Sequence, residues 1–600
     1  MQATRSISLA LWYMAPQLCL VPMRLSRSTW LLGAAALSAS AWGLSCEDQL
    51  IQTATRLPEG AGLGGSSPTL TDLACEGDPP ENELPPGAAF GEGEALASSP
   101  LVGTSYGALE GPGLSITARD TFRVYVNGDL VAASESARTP LFVPLSLLPG
   151  ENVIAVSVHA ATGTPAALLH LDELERSHGS GSDWKLSTAP EGGWTAPGYD
   201  DSGWTAAREL GSAGDLPGCD PEARFPSNTT ARWIGPAPGT RGPIALRRVI
   251  RVEPIGFGEG TTGGAGATPV LVSDWADLER LAASDEPAVL LLAEGIHDFR
   301  RKGSEIQDIE VCPRTCSEEP EKVLYQVLTG DSTCERPPVG TTRDDRVLRF
   351  GSNKTLVGLG RGAALPGVSM DLDGSQNIIL RNLALYDLNA SLLEAGDAFT
   401  LTQPSRVWID HATVTWISDA FADILAGTSA VTFSYVHFDG STDAECGGRE
   451  RWAATMTDAE VTMHHCRFDE VSTRAPLAVG SRARVHLFNN VFSNVSDWAV
   501  GSSCEGQVLL EASVFENVEA ATRRSDCSDS TGLGLLLAVP GSNLYRDGSG
   551  VHLGGGGEEP ADDVFTPPYA YAPERASDAL PQVISRSGAG GPWALPLARE

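Results

Sequence analysis

The sequence is short of positive charge. It carries 42 Lys and Arg against 76 Asp and Glu, a formal net charge of −34 at pH 7. A chain this acidic lacks the basic footprint that binding to nucleic acid requires. The plain meaning of the excess is solubility, and an acidic polymer is a suitable partner only with a cation between the two. The sequence has no CxxC pair and no histidines at ligand spacing, which argues against an ordinary zinc site. Beyond its N-terminus it has no apolar run long enough to span a membrane. Charged helix formers are sparse, whereas Gly (65) and Pro (40) are plentiful, so a β-rich, turn-rich protein is expected. The apolar share of 42% is enough for real cores, and 600 residues exceed one ordinary domain.

Residues 1–41 read as an export signal whose true start is Met23: Arg24 and Arg27 supply the charged region, 30–37 the apolar run and Ala39-Ser40-Ala41 the cleavage site. A secreted, extracellular protein is expected. Cys46 follows Gly43-Leu44-Ser45, a poor lipoprotein box, so a cell-surface lipoprotein is the minor alternative. Loss of Cys19 with the signal leaves an even number of the eleven cysteines, which predicts disulfides in an exported chain. Cys312, Cys316 and Cys334 cluster in one insertion, and Cys446, Cys466, Cys504 and Cys527 lie further on. Their connectivity is open at this level.

Residues 42–98 are rich in Gly, Pro, Glu and Ser and read as a solvated linker. From 99 to 254, FRVYVNG (122–128) alternates apolar and polar residues and ends in an Asn-Gly turn signal, and PGENVIAVSVHA (149–160) repeats the alternation. Short strands at this spacing predict a β-sandwich. Trp184, Trp194, Trp204 and Trp233 read as core, with sugar stacking as the alternative. Together with YDDSGW (199–204) and ARWIGP (231–236), these segments resemble the galactose-binding-like jelly-roll modules appended to carbohydrate-active enzymes. Residues 255–268 read as a flexible Gly-rich linker, and 269–600 as the last domain.

That domain opens with an amphipathic piece, WADLERLAA (275–283), and an apolar strand, AVLLL (288–292). Six octets then stack in one register: IILRNLAL from Ile378, VWIDHATV from Val407, VTFSYVHF from Val431, VTMHHCRF from Val461, VHLFNNVF from Val485 and VLLEASVF from Val508. Positions one, three and eight are apolar in all six, and position six is mostly small or apolar. A repeat of about two dozen residues with variable loops is the pattern of a parallel β-helix. The chain is thus expected to be all-β, a right-handed parallel β-helix preceded by a β-sandwich. In this register Asp397 and Asp423 fall at comparable distances ahead of successive octets and are expected to stack about 4.8 Å apart, with Asp419 folding back to join them. Converging carboxylates repel unless a hard cation lies between them, and oxygen-only ligands favour calcium.

GSNKTLVGLG (351–360), NIILRNLAL (377–385), GDAF (396–399), VWIDH (407–411), DAFADI (419–424), RAPLAVG (474–480) and the tail PPYAYAPERASDALPQVISRSGAG (567–590) resemble the pectate lyase family, polysaccharide lyase family 1. The resemblance implies that Asp397, Asp419 and Asp423 hold Ca2+ and that Arg474 is the catalytic base, while Asp410 and His411 of VWIDH are structural. It implies a monomeric, calcium-dependent lyase that cleaves (1→4)-linked polygalacturonate-type acidic polysaccharide by β-elimination. Two positions depart from the pattern: Asp443 stands where a substrate-binding lysine is usual, and Val479 where a second arginine is frequent. Arg449 and Arg451 are the candidate replacements for binding substrate. The alternatives are a non-catalytic, adhesin-like carbohydrate-binding β-helix that keeps the metal site and a calcium-free pectin lyase. The three filled Asp positions disfavour the latter.

Overall fold

The computed structural model describes residues 113–590, apart from 135–139, 173–176, 214–224, 226–228, 317–318, 329–333, 335, 443–444, 449 and 528–531. The export signal, Cys46, the 42–98 linker, Asp443 and Arg449 lie outside the described residues. No helix among the described residues is long and apolar enough to cross a membrane.

Residues 113–252 form two antiparallel sheets. One runs Arg208–Ser212, Arg232–Gly235, Ala167–Asp172, Gly113–Ala118, Leu141–Pro144, with Ser177–Gly179 also on Ala167–Asp172. The other runs Asp129–Ser134, Thr121–Val126, Gly150–His159, Ile244–Val252, Lys185–Ser187, Thr205–Ala206. Strand alternation decides what goes inside: Phe122, Val124 and Val126 point into a core shared with Leu114, Ile116, Leu169 and Leu171 of the facing sheet. The first hairpin turns at Asn127 and Gly128, with φ of 53° and 99°, the left-handed pair that a tight hairpin requires. Trp184, Trp194 and Trp233 are buried, and Trp204 is half-buried.

From Val270 the chain winds into coils that build three parallel sheets of ten, nine and nine strands. The amphipathic helix Trp275–Ala283 is capped by Asp274, which accepts from the Asp277 amide, and it seals the start of the coil with Leu278 and Ala282. The octets form the ten-stranded sheet in the register read from the sequence: Ile378, Val407, Val431, Val461, Val485 and Val508 are successive partners. Positions one and three point inward and are buried in every coil.

The octet also contains the corner. Position five (Asn382, His411, Tyr435, His465, Asn489, Ala512) has φ between 48° and 57° in every coil. This left-handed residue turns the chain from the ten-stranded sheet into the first nine-stranded one. Position eight then points inward and stacks its rings coil on coil. Phe438, Phe468, Phe492 and Phe515 lie 4.7, 5.2 and 4.6 Å apart, and Tyr545 continues the column.

Position two points outward, yet it is buried, because three other segments cover that face. Ile379 and Trp408 pack into the sandwich core. Thr432 and Thr462 receive the amides of Gly258 and Phe257, and Thr355 on the same face receives that of Gly264. His486 meets the Tyr569 hydroxyl at 2.6 Å. The Gly-rich stretch at 256–266 is therefore no flexible linker. It is a strap lying flat on the sheet, and its glycines are needed for closeness: a Cβ on Gly264 would sit 2.0 Å from the Ala288 carbonyl oxygen.

Candidate active site

The site lies on the second nine-stranded sheet, where the strands Phe399–Leu401, Ala422–Ile424 and Ala454–Thr457 are neighbours. In each the flanking residues face the core, so the middle one is left outside. This makes an outward row, Asp371, Thr400, Asp423, Thr455 and Leu477, in direct register. Asp423 is thus fixed by a strand, with Thr400 on one side and Thr455 on the other.

Asp397 and Asp419 belong to the turns leading into two of these strands. The register differs from the expected stacking here: Asp423 opposes Thr400, and Asp397 comes beside the Asp419–Ala420 turn of the next coil. Asp397 accepts from the Ala420 amide at 3.1 Å and, more weakly, from the Thr400 hydroxyl at 3.4 Å. The reason is local. The Asp397 turn passes through Glu394 and Gly396, both at positive φ, and is pinned to Ser418 by the Glu394 and Ala395 amides.

The carboxylates are close enough to disturb one another. Asp397 is pushed up to about 8, by burial first and then by the charges of Asp423 and Asp419. Asp419 is pushed up to about 7 by burial, Asp423 and Glu394. Burial also raises Asp423, with Arg474 opposing the shift. Negative charge is therefore costly here, and acceptor-only oxygens of this kind suit a hard divalent cation. Among the described residues, no group of three or more His, Cys, Asp or Glu side chains is so placed that it could hold a metal ion.

Arg474 lies next to this row. It is held at φ 58° between the strands Val471–Thr473 and Leu477–Val479, and its carbonyl accepts from the Ala454 amide. Its Nη1 donates to the Thr455 hydroxyl at 3.2 Å, one rung from Asp423, and its guanidinium stacks over the Trp452 ring at 4.4 Å. Trp452 is placed by the strand Glu450–Trp452, which pairs with Val471–Thr473 just before the arginine. Arg451 lies in that same short strand. Val479 ends its strand half-buried.

The structure thus brings Asp397, Asp419, Asp423 and Arg474 together. Sequence reasoning missed Glu394, Trp452, Thr400 and Thr455. The threonines were findable, since each sits between two apolar residues of a strand, as Asp423 does. Glu394 was not, because it is placed through an insertion: Gln326 donates to it from the strand Val323–Val327. Asp410 and His411 are fully buried, the former taking Arg381 at 3.0 Å, His411 at 2.8 Å and the Ser434 hydroxyl. That network is remote from solvent and structural in character.

A family model described as pectate lyase matches residues 340–531. The probable pectin lyase B of Aspergillus niger is 30% identical over 307 residues, which cover 49% of this chain and 79% of that relative. The probable pectin lyase E of Aspergillus fumigatus is 31% identical, with 46% and 75% covered. The chain belongs to the pectate lyase family. The probable pectin lyase F of Emericella nidulans is 32% identical over 308 residues; the chain spans 64% of that relative, a little under two thirds. Among solved structures, the pectate lyase of Bacillus sp. N165 in complex with trigalacturonate aligns with 20% identity and a TM-score of 0.39, over 56% of this chain and 99% of that one. As in other folds, family membership does not specify the chemistry; the residues of this site must account for it.

Proposed function

We propose that this cluster is the active site of a polysaccharide lyase that cleaves (1→4)-linked polygalacturonate-type chains by β-elimination. The observation that carries this reading is the placement of Arg474 one rung from Asp423, beside a carboxylate cluster that resists carrying its full negative charge. Arg474 takes the proton from C5 of a uronate; the electron pair left behind forms the C4=C5 double bond as the C4–O bond breaks. The departing oxygen takes a proton from solvent, and the new chain end is a 4,5-unsaturated uronide. Thr455 fixes Nη1 and Trp452 fixes the guanidinium plane, so the base is oriented before substrate arrives. Arginine is ordinarily protonated, so nearby positive charge has to lower its proton affinity in the complex.

Asp397, Asp419 and Asp423 would hold calcium once their side chains draw together around it, since as they stand in this structure they form no group placed to hold a metal ion. When bound, it would supply positive charge opposite the uronate carboxylate, the group that must accept the developing carbanion charge. Such an ion also reconciles an acidic protein with an acidic polymer. The family relationship supports the enzyme over a non-catalytic carbohydrate-binding protein. The relatives' names, pectin lyases, favour a second substrate reading, methyl-esterified pectin cleaved without calcium. Export is proposed with it, supported by the disulfides Cys312–Cys334, Cys316–Cys446 and Cys504–Cys527. A monomer that engages acidic polysaccharide and no nucleic acid completes the reading.

The deciding experiment follows ultraviolet absorbance of the unsaturated product from polygalacturonate and from methyl-esterified pectin, each with calcium and with chelator. Calcium-dependent product on polygalacturonate is expected. Chelator-resistant product confined to the esterified polymer would select the second reading, and no product from either would overturn the lyase.

A further inference from the structure

The sandwich carries a cleft of about 660 Å³ that the catalytic reading does not use. It opens where a sheet loses a strand. Lys185–Ser187 pairs with Ile244–Val252 only at Ala245, Leu246 and Arg247. From Arg248 onward no strand among the described residues lies along that edge. Three of the five residues from 247 to 251 are arginines, in a chain that is poor in positive charge.

The three arginines are not equivalent. Arg247 is fully buried and committed: it pairs with Asp201 and donates to the carbonyls of Trp194 and Ala196. Arg248 is mostly buried, paired with Asp183 at 2.7 Å and donating to the Gly179 carbonyl at 3.3 Å. Arg251 is exposed, and its partners Glu151 (3.0 Å) and Glu253 (3.7 Å) are surface carboxylates. Ion pairs as exposed as these contribute little to folding and exchange partners readily. Tyr199 also lines the cleft, half-buried, with its ring packed by Trp204 at 6.0 Å and by the Arg247 guanidinium at 5.7 Å. Gly198, next to it, has open space where a Cβ would stand. An aromatic ring packed from behind and an arginine fork that can change partner, lining one cleft, fit a sugar ring bearing a carboxylate.

We propose that this cleft is a second, non-catalytic binding site for acidic polysaccharide. It takes a uronate unit with its carboxylate on Arg251 and its ring against Tyr199. A neutral sugar would use the tyrosine but leave Arg251 idle. The identity of the ligand rests on the polyuronate reading above; the site itself rests on the cleft. Its consequence is retention of the enzyme on the polymer while the active site cuts elsewhere along it, an effect of local concentration.

The test uses the full chain. In an Arg474→Ala background, which leaves the polymer uncut, migration is followed in gels containing polygalacturonate or neutral galactan. Polygalacturonate is expected to retard the protein and galactan to leave it unaffected. Arg251→Glu and, separately, Tyr199→Ala are each expected to weaken the retardation about tenfold, while with Arg474 intact both leave cleavage of trigalacturonate unchanged. Undiminished retardation in both variants, or equal retardation by galactan, would overturn the proposal. If the native chain cleaves neither polymer yet Arg251-dependent retardation persists, the lyase falls and the cleft stands. Cleavage with no Arg251-dependent retardation leaves the reverse.

Discussion

Asp397 sits where burial and neighbouring carboxylates work against its charge. In the fold its carboxyl holds its proton to about pH 8, against 3.8 for the free side chain. Between those values the folded chain binds more protons than the unfolded one, so stability must fall as pH rises through the window and level off above it. The chelated protein is therefore expected to lose melting temperature steadily from about pH 4 to about pH 8, and Asp397→Asn to flatten that slope. Calcium should restore more stability at pH 8 than at pH 5, since binding at low pH must first displace protons. Scanning calorimetry across this range checks both, and a pH-independent melting temperature in chelator would contradict the crowding of charge. The candidate carboxylates were legible from motif and register together, although register alone misplaced Asp397. Trp452 and Glu394 were not, because each reaches the site through segments with no periodicity.

The octet was the most legible element. Positions one, three and eight are apolar because they face the interior of every coil, and that pattern was enough to fix the strand register before any coordinates. The left-handed corner at position five was hidden, because Asn, His, Tyr and Ala all occupy it and no composition signal marks it. The insertions were equally opaque. The strands Gln307–Thr315, Val323–Val327 and Val339–Arg343 form a separate three-stranded sheet. Cys316–Cys446 spans 130 residues to tie it to the loop preceding Trp452. Lys322 donates to the Glu445 carbonyl across the same junction. Cys316→Ser is expected to cost about 2–4 kcal/mol of stability and to reduce turnover more than it changes global structure, because the Trp452 strand loses its anchor. Unfolding midpoints and kcat, measured on the same preparation with an unchanged circular dichroism spectrum, check this. The strap makes a second element-scale prediction. Gly264→Val has no room against the Ala288 carbonyl and should destabilise by about 1–3 kcal/mol, read as a lower denaturant midpoint.

At the scale of the whole molecule, the sandwich and the coil are not independent beads. The sandwich shares Ile379 and Trp408 with the ten-stranded sheet, and the strap and the C-terminal tyrosines cover the rest of that face. Each of the two large side chains gains on the order of 1.5–3 kcal/mol from burial. An isolated 269–600 piece would expose both, so it is expected to melt below the full chain and to associate in solution, which light scattering would detect. A monomeric piece with an unchanged melting temperature would refute the shared interface. Composition foresaw the β-rich architecture. It could not foresee the docking of sandwich on coil, because the outward position two of the octets looks like an ordinary solvent-facing one until its cover is known.

Elimination driven by Arg474 beside the carboxylate cluster is tested most directly by comparing the full chain with Arg474→Ala and Arg474→Lys on polygalacturonate. Product absorbance is recorded with calcium present and after chelation. Calcium-dependent unsaturated product is expected from the native chain, with a loss of about 10²–10⁴-fold in kcat for Arg474→Ala and an unchanged melting temperature. Native-like turnover in the folded alanine variant would contradict the assignment of Arg474 as the base.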